Sequence, residues 1–218
     1  MIELFKSDKE KHRFSSTMKY ASSIYFLLLH RISCDYSPEE LSFLLGQDDD
    51  FVYQLERFKI SMSNLELMTH LTWVFEKKEL SFESYDDKTS YEFELGVWVE
   101  NGVRYYQMDY FINAVESISF FRLMENLNIK RIEDAESPSS FERGVCQTFF
   151  EAILSTDYFK RPRTARQIKD CLDGHLEDYK IPVIYFKREL DLLWGRKGTA
   201  PLKRSKANSY SYRYSLHK

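Results

Sequence analysis

Residues 182–204 read Pro-Val-Ile-Tyr-Phe-Lys-Arg-Glu-Leu-Asp-Leu-Leu-Trp-Gly-Arg-Lys-Gly-Thr-Ala-Pro-Leu-Lys-Arg, and they decide how the C-terminal part folds. Pro182 suits a helix start, since its fixed φ is already helical and the first turn has no use for its missing N–H. Val183, Phe186, Leu190 and Leu193 then recur at i, i+3, i+7 and i+10, one apolar face of a helix. Gly195 and Gly198 break that helix. Beyond them, Ala200–Lys203 and Tyr210–Leu216 can pair as strands around the cationic loop 204–209. Working back along the chain, Thr164 is an N-cap for a helix over 165–176, with Ile168, Cys171, Leu172 and Leu176 facing inward. A further helix spans 141–156, with Val145, Phe149, Ala152 and Ile153 on one side. Glu133–Ser140 is polar, Ser-rich and broken by Pro, so it reads as a boundary.

The order helix, helix, helix, hairpin over residues 141–217 resembles the winged helix, the helix-turn-helix variant that adds a β-hairpin wing. Arg163-Thr164-Ala165-Arg166-Gln167-Ile168 resembles the start of that family's second helix. The resemblance implies a third helix in a DNA major groove and a wing on the flanking phosphates. In this chain it implies DNA contacts from Thr164, Arg166 and Gln167, and from Lys187 and Arg188. Glu189 accompanies those two on the outward side of the third helix. Before and within the wing it implies Arg196, Lys197, Lys203, Arg204, Lys206, Tyr212 and Arg213. Charge agrees with this expectation. Residues 160–218 carry 15 Lys/Arg against 6 Asp/Glu, whereas residues 1–159 carry 16 against 28. A cationic segment on an acidic body concentrates polyanions such as nucleic acid.

The acidic part opens with four expected helices between Lys19 and Phe75. Ala21, Ile24, Tyr25 and Leu28 take helical spacing within 20–31. Ser37-Pro38-Glu39-Glu40 starts the second, with Ser37 as N-cap and Glu40 closing a capping box, and Gly46 ends it. Asp48–Asp50 open a third, and Ser63-Asn64 a fourth. The stretch Ser37-Pro38-Glu39-Glu40-Leu41-Ser42-Phe43-Leu44-Leu45-Gly46, followed by Phe51-Val52-Tyr53-Gln54-Leu55-Glu56-Arg57, resembles the phage-repressor-type helix-turn-helix. That resemblance implies a DNA-binding fold. However, Gln47, Asp48, Asp49 and Asp50 stand where the family presents small or basic residues to DNA. Carboxylates suit the positive end of a helix dipole and repel phosphate. The unit therefore reads as an adapted scaffold or a protein contact.

In the middle, Tyr91, Phe93, Leu95, Val97 and Val99 alternate onto one face of a strand. Asn101-Gly102 then signals a tight hairpin into 103–110. Ser81–Tyr85 offers a third strand, and 111–127 reads as a helix with Ile112, Val115, Ile118, Phe121, Leu123 and Met124 mostly on one side. Glu92 and Glu94 fall on the opposite strand face, without a His or nucleophile to make them an acid/base pair. The fold class expected is thus mainly α with small β-hairpins (α+β): a helix-turn-helix-like domain over 1–80, a β-hairpin and helix over 81–136, and a basic winged-helix-like domain over 137–218.

Three widely spaced cysteines, Cys34, Cys146 and Cys171, suggest a reducing compartment and buried thiols. The five His are scattered, so no metal or other cofactor is expected. The apolar run 24–29 falls far short of the roughly 20 residues a bilayer requires. The charged start does not resemble a signal peptide, and a cytoplasmic location is expected. Without a Gly-rich phosphate loop or a nucleophile elbow, an enzyme is not expected. The leading expectation is a transcriptional-regulator-type protein that binds duplex DNA through the basic C-terminal part, as a homodimer joined through the acidic body. The alternative is a protein-interaction or assembly adaptor, mobile-element or phage-related, whose acidic body contacts a protein partner and whose helix-turn-helix units do not touch DNA.

Overall fold

The computed structural model describes residues 10–60, 65–75, 88–127, 140–176, 179–206 and 210–217. Along them run β1 (Glu10–Thr17), α1 (Met18–Ser33), α2 (Pro38–Leu44), α3 (Phe51–Glu56), α4 (Leu65–Val74), β2 (Ser90–Glu100), β3 (Val103–Phe111) and β4 (Ser117–Asn126). Then come α5 (Ser140–Leu154), a 3₁₀ turn (Tyr158–Lys160), α6 (Ala165–His175), α7 (Val183–Asp191), β5 (Leu202–Ser205) and β6 (Arg213–Leu216). Seven α-helices with a four-stranded and a two-stranded antiparallel sheet make the class α+β among the described residues. Two compact units form, and they interleave along the chain instead of following one another. One gathers Met1–Asp35, Gln54–Met62 and Glu79–Glu133; the other gathers Tyr36–Tyr53, Ser63–Lys78 and Asp134–Lys218. This division differs from the three consecutive segments expected from sequence, and α3 carries the chain from one unit to the other.

The first unit is built on the sheet β1-β2-β3-β4. Its hairpin turn is where the Asn-Gly pair predicts it, with φ of 52° at Asn101 and 74° at Gly102. Phe93, Leu95 and Val97 pair with Tyr110, Met108 and Tyr106, and this row makes the buried face. On α1, Ala21, Ile24, Leu27 and Leu28 are buried, and Tyr25 meets Phe121 with ring centroids 5.4 Å apart. Two expectations fail here. Residues 117–126, expected within a helix, form β4, because β3 offers a full edge to pair with. The central segment is therefore a hairpin extended by a third strand, not a hairpin plus helix, among the described residues. Residues 10–17, given no element from sequence, form β1. The strand expected at 81–85 lies outside the described residues.

An ionic cluster lies buried in this unit. Arg31 of α1, with no exposed surface, pairs with Glu56 and donates to Glu125 Oε1 at 2.8 Å and to the Tyr106 hydroxyl at 3.0 Å. Arg104 donates to Glu125 Oε2 at 3.1 Å. Burial pushes the Glu56 carboxyl above its ordinary value, while Arg31 pulls it back.

The second unit holds α2, the first turn of α3, α4, α5, the 3₁₀ turn, α6, α7 and the hairpin β5-β6. The local signals for α2 and α6 act as read. Ser37 and Glu40, like Thr164 and Gln167, close reciprocal capping boxes. Ser42 ties the helix pair together, its hydroxyl donating to Pro38 O at 2.8 Å and accepting from Val52 N–H at 2.9 Å. Phe186 of α7 stacks on Phe150 of α5 at 5.6 Å and meets Phe43 of α2 edge-on at 5.9 Å. The apolar centre of this unit lies there.

Candidate functional site

On α7 the apolar residues Val183, Phe186 and Leu190 are buried as their spacing requires. Its outward face is the unexpected part. Lys187 is only 12% exposed, and its Nζ stands 3.1 Å from Glu39 Oε1, 3.6 Å from Asp49 Oδ2 and 3.0 Å from Asp191 Oδ2. Burial works against the ammonium, yet these carboxylates hold Lys187 above its ordinary range. Glu189 is a correction, being buried and turned to α5, where Arg143 Nε lies 3.2 Å away and Gln147 Nε2 donates at 3.1 Å. Along Val183–Leu192, only Arg188 and Leu192 are exposed. A helix that reads base edges presents a broad accessible face to a groove about 12 Å wide.

The hairpin is fastened to the turn after α2. Tyr212 N–H donates to Gly46 O at 2.7 Å, and Ser211 Oγ donates to Leu45 O at 2.8 Å. Gln47 Nε2 donates to Tyr210 O at 3.1 Å. Gly46 sits at φ +67°, and a Cβ there would come within 2.8 Å of Ser211 Cβ. Only glycine satisfies both the left-handed backbone and the close approach. Above this anchor, Lys206 Nζ donates to Gln47 Oε1 at 3.0 Å and approaches Asp48 Oδ2 at 3.4 Å. The Tyr212 hydroxyl donates to Asp48 Oδ1 at 2.9 Å. Although its partial burial acts in the other direction, Tyr212 and Lys206 hold the Asp48 carboxyl below its ordinary value. The Arg204 guanidinium lies 3.9 Å from the Trp194 ring centroid and 4.4 Å from that of Tyr212.

The remaining expected DNA contacts scatter. Thr164 and Gln167 are committed to the α6 capping box. Arg166 pairs with Asp170 at 2.7 Å and donates to Val74 O at 3.3 Å. Arg196, Lys197 and Arg213 are exposed, and Lys203 is half-buried. Lys203 pairs across the hairpin with Ser215, and Arg213 with Ser205, which puts Lys203 and Arg213 on one face. Leu202 and Tyr214 occupy the other face, fully buried. Tyr214 is thereby removed from the row of hydroxyls expected at the chain end, and burial pushes it up to about 12.

No protein-family model, curated protein or solved structure matches this chain.

From the sequence, docking of the basic wing on the acidic body is an alternative to DNA contact, but the acidic turn and the basic hairpin are not placed in one unit, as they are in the fold. The signal was available, since three consecutive aspartates and a surplus of Lys/Arg are natural counterparts. Sequence reasoning also missed an apolar groove of about 550 Å³ along α5 and α6, floored by Val145, Phe149, Ile153 and Leu172 and flanked by Phe141, which is 61% exposed. Ser211 Oγ stands 3.3 Å from His70 Nδ1, a nucleophile–base distance. At 1% exposure Ser211 is out of a substrate's reach, so the pair is structural. Cys146 is buried as expected, and burial pushes its thiol up to about 12. Cys34 departs from the expectation of buried thiols, because it is exposed. Among the described residues no group of three His, Cys, Asp or Glu could hold a metal ion, and no helix is long and apolar enough to cross a membrane.

Proposed function

We propose that this protein works as a protein-interaction or assembly adaptor, in which helix-turn-helix-like units serve as scaffold. One observation carries the reading: the face of α7 expected to enter a DNA groove is covered by α2 and its acidic turn, with Lys187 held by Glu39, Asp49 and Asp191. A cation so committed has already exchanged its water for carboxylates and offers a phosphate little. The apolar groove along α5 and α6 supports the same reading, since open apolar surface of this kind suits a protein partner.

A second reading has its own observation. Arg196, Lys203 and Arg213 form no side-chain ion pair among the described residues, and Lys203 and Arg213 share the outer face of the hairpin. That face suits sequence-independent phosphate contact in the manner of a wing. One titration separates the two readings: fluorescence anisotropy of a labelled generic duplex from about 50 to 200 mM salt, a range over which phosphate binding falls steeply. The adaptor reading expects no anisotropy change at the lowest salt, together with a partner complex that survives nuclease treatment. Salt-dependent duplex binding would overturn it. In that event the hairpin reading expects Lys203→Ala with Arg213→Ala to reduce the salt slope by about two.

A further inference from the structure

The second unit contains cations and carboxylates arranged in layers. Lys187 of α7 is linked to Arg204 and Lys206 of the hairpin through Asp191, which pairs with Lys187 and accepts from Trp194 Nε1, and through the Trp194 and Tyr212 rings. Lys187 is 12% and Lys206 33% exposed. The carboxylates over them lie on the solvent side, Glu39 50%, Asp49 61% and Asp48 63% exposed. Anions therefore sit outermost and cations beneath, the order found when a polyanion lies on a basic protein face. Two aromatic rings, Trp194 and Tyr212, fix the guanidinium between them, and Lys206 lies 4.3 Å from the Tyr212 centroid. The fastening of the hairpin is separate from this layer. It runs through Gly46 O, Leu45 O and the Gln47 side-chain amide, none of which is a carboxylate. A largely solvent-exposed pair such as Lys206–Asp48 is individually weak.

We infer that the Lys187–Arg204–Lys206 face is a phosphate-binding face for duplex nucleic acid, held closed by Glu39, Asp48 and Asp49 acting as an internal polyanion. This goes beyond the adaptor reading, which concerns the closed form only. The carboxylate side chains form the cover and the backbone anchor beneath them stays in place, so charge alone decides whether the face is open. Neutralising Asp48 takes from Lys206 its paired carboxylate and so frees one phosphate contact, while Lys187 keeps Glu39 and Asp191 when Asp49 is neutralised. Both changes together lift a repulsion that acts over about a Debye length.

The test is the Asp48→Asn/Asp49→Asn double variant of the full chain, titrated with a generic labelled duplex at about 100 mM salt. Its control is Glu92→Gln/Glu151→Gln, which makes the same change in net charge at exposed positions outside the cluster. The inference expects the first variant to bind the duplex, with a midpoint at least about tenfold below the highest protein concentration at which wild type leaves the anisotropy unchanged and with a steep fall as salt rises. It expects the control to stay unbound like wild type. Adding Lys206→Ala to the double variant should remove the gain. Equal gains in both double variants would overturn the inference, because net charge alone would account for them. No gain in a variant with wild-type circular dichroism and Trp fluorescence would overturn it too. Either result leaves the adaptor reading standing, which falls instead if the wild-type chain itself binds duplex.

Discussion

Arg31 sets the hardest problem a single residue poses in this chain, since its guanidinium stays charged at any relevant pH and has no exposed surface. Its attraction to Glu56 and Glu125 offsets a desolvation cost of several kcal/mol, with the Tyr106 hydroxyl taking a further donor. Removing one partner of such a cluster is worse than never having built it. Arg31→Met leaves Glu56 buried beside Glu125 with its main counter-charge gone. We expect the first unit to lose about 3–5 kcal/mol, measured as a lowered urea midpoint. Little in the local sequence announces this cluster. Arg31 stands in the last turn of α1, where a cation complements the helix dipole and invites no further explanation. Its partners come from α3 and β4, and their meeting is set by tertiary packing that no local pattern encodes.

At the scale of elements, what was legible follows from how local the determinants are. The caps of α2 and α6 are written in four residues each, Ser37–Glu40 and Thr164–Gln167, so both helices begin where the sequence places them. The Asn101-Gly102 turn is likewise local. β4 was illegible because a bulge broke its period. The β3–β4 register shifts at Met108/Asp109, where Phe121 pairs with Met108 and Ser119 with Asp109, so Phe120 is an extra residue. Phe120 and Phe121 then both reach core rings, Phe93 at 5.8 Å and Tyr25 at 5.4 Å. Two adjacent inward residues within a run of alternation imitate a helical stripe. β1 was illegible for the opposite reason. It is a polar edge strand whose Lys11 and Arg13 pair across to Glu94, so it shows no apolar alternation and has the charged character that protects a sheet edge. The caps allow a direct measurement. Thr164 is buried and its side chain accepts the Gln167 N–H, so Thr164→Ala should cost about 1 kcal/mol in a chemical-denaturation experiment. Thr164→Ser, which keeps the oxygen, should recover most of it.

For the whole molecule, the uneven charge of the chain has a different meaning once the fold is known. The sequence suggested a basic domain beside an acidic body, but the acidic turn and the basic hairpin share one unit, where Asp48 is spent on Lys206 of the hairpin and Asp49 on Lys187 of α7. The resulting dependence on pH has a definite sign. The folded chain holds the Asp48 carboxyl below its ordinary value of 3.8, so the folded state binds that proton less readily than the unfolded chain. The stabilisation is therefore complete above an unfolded pKa of about 3.9 and is lost as pH falls through the lower, folded value. Glu94, held down by hydrogen bonds from Lys11 and Arg13, contributes with the same sign in the other unit. Asp48→Asn removes only the first of these contributions. The difference in urea midpoint between wild type and Asp48→Asn should accordingly be constant between about pH 7 and 5 and shrink toward zero below about pH 4. Neutralising Glu94 instead, in Glu94→Gln, should give a second curve of the same sense, because hydrogen bonds to the ionised form dominate there as well. No difference in midpoint at about pH 7 would mean that the hairpin's anchor to Gly46 and Leu45 carries the stability, and that Asp48 merely accompanies it.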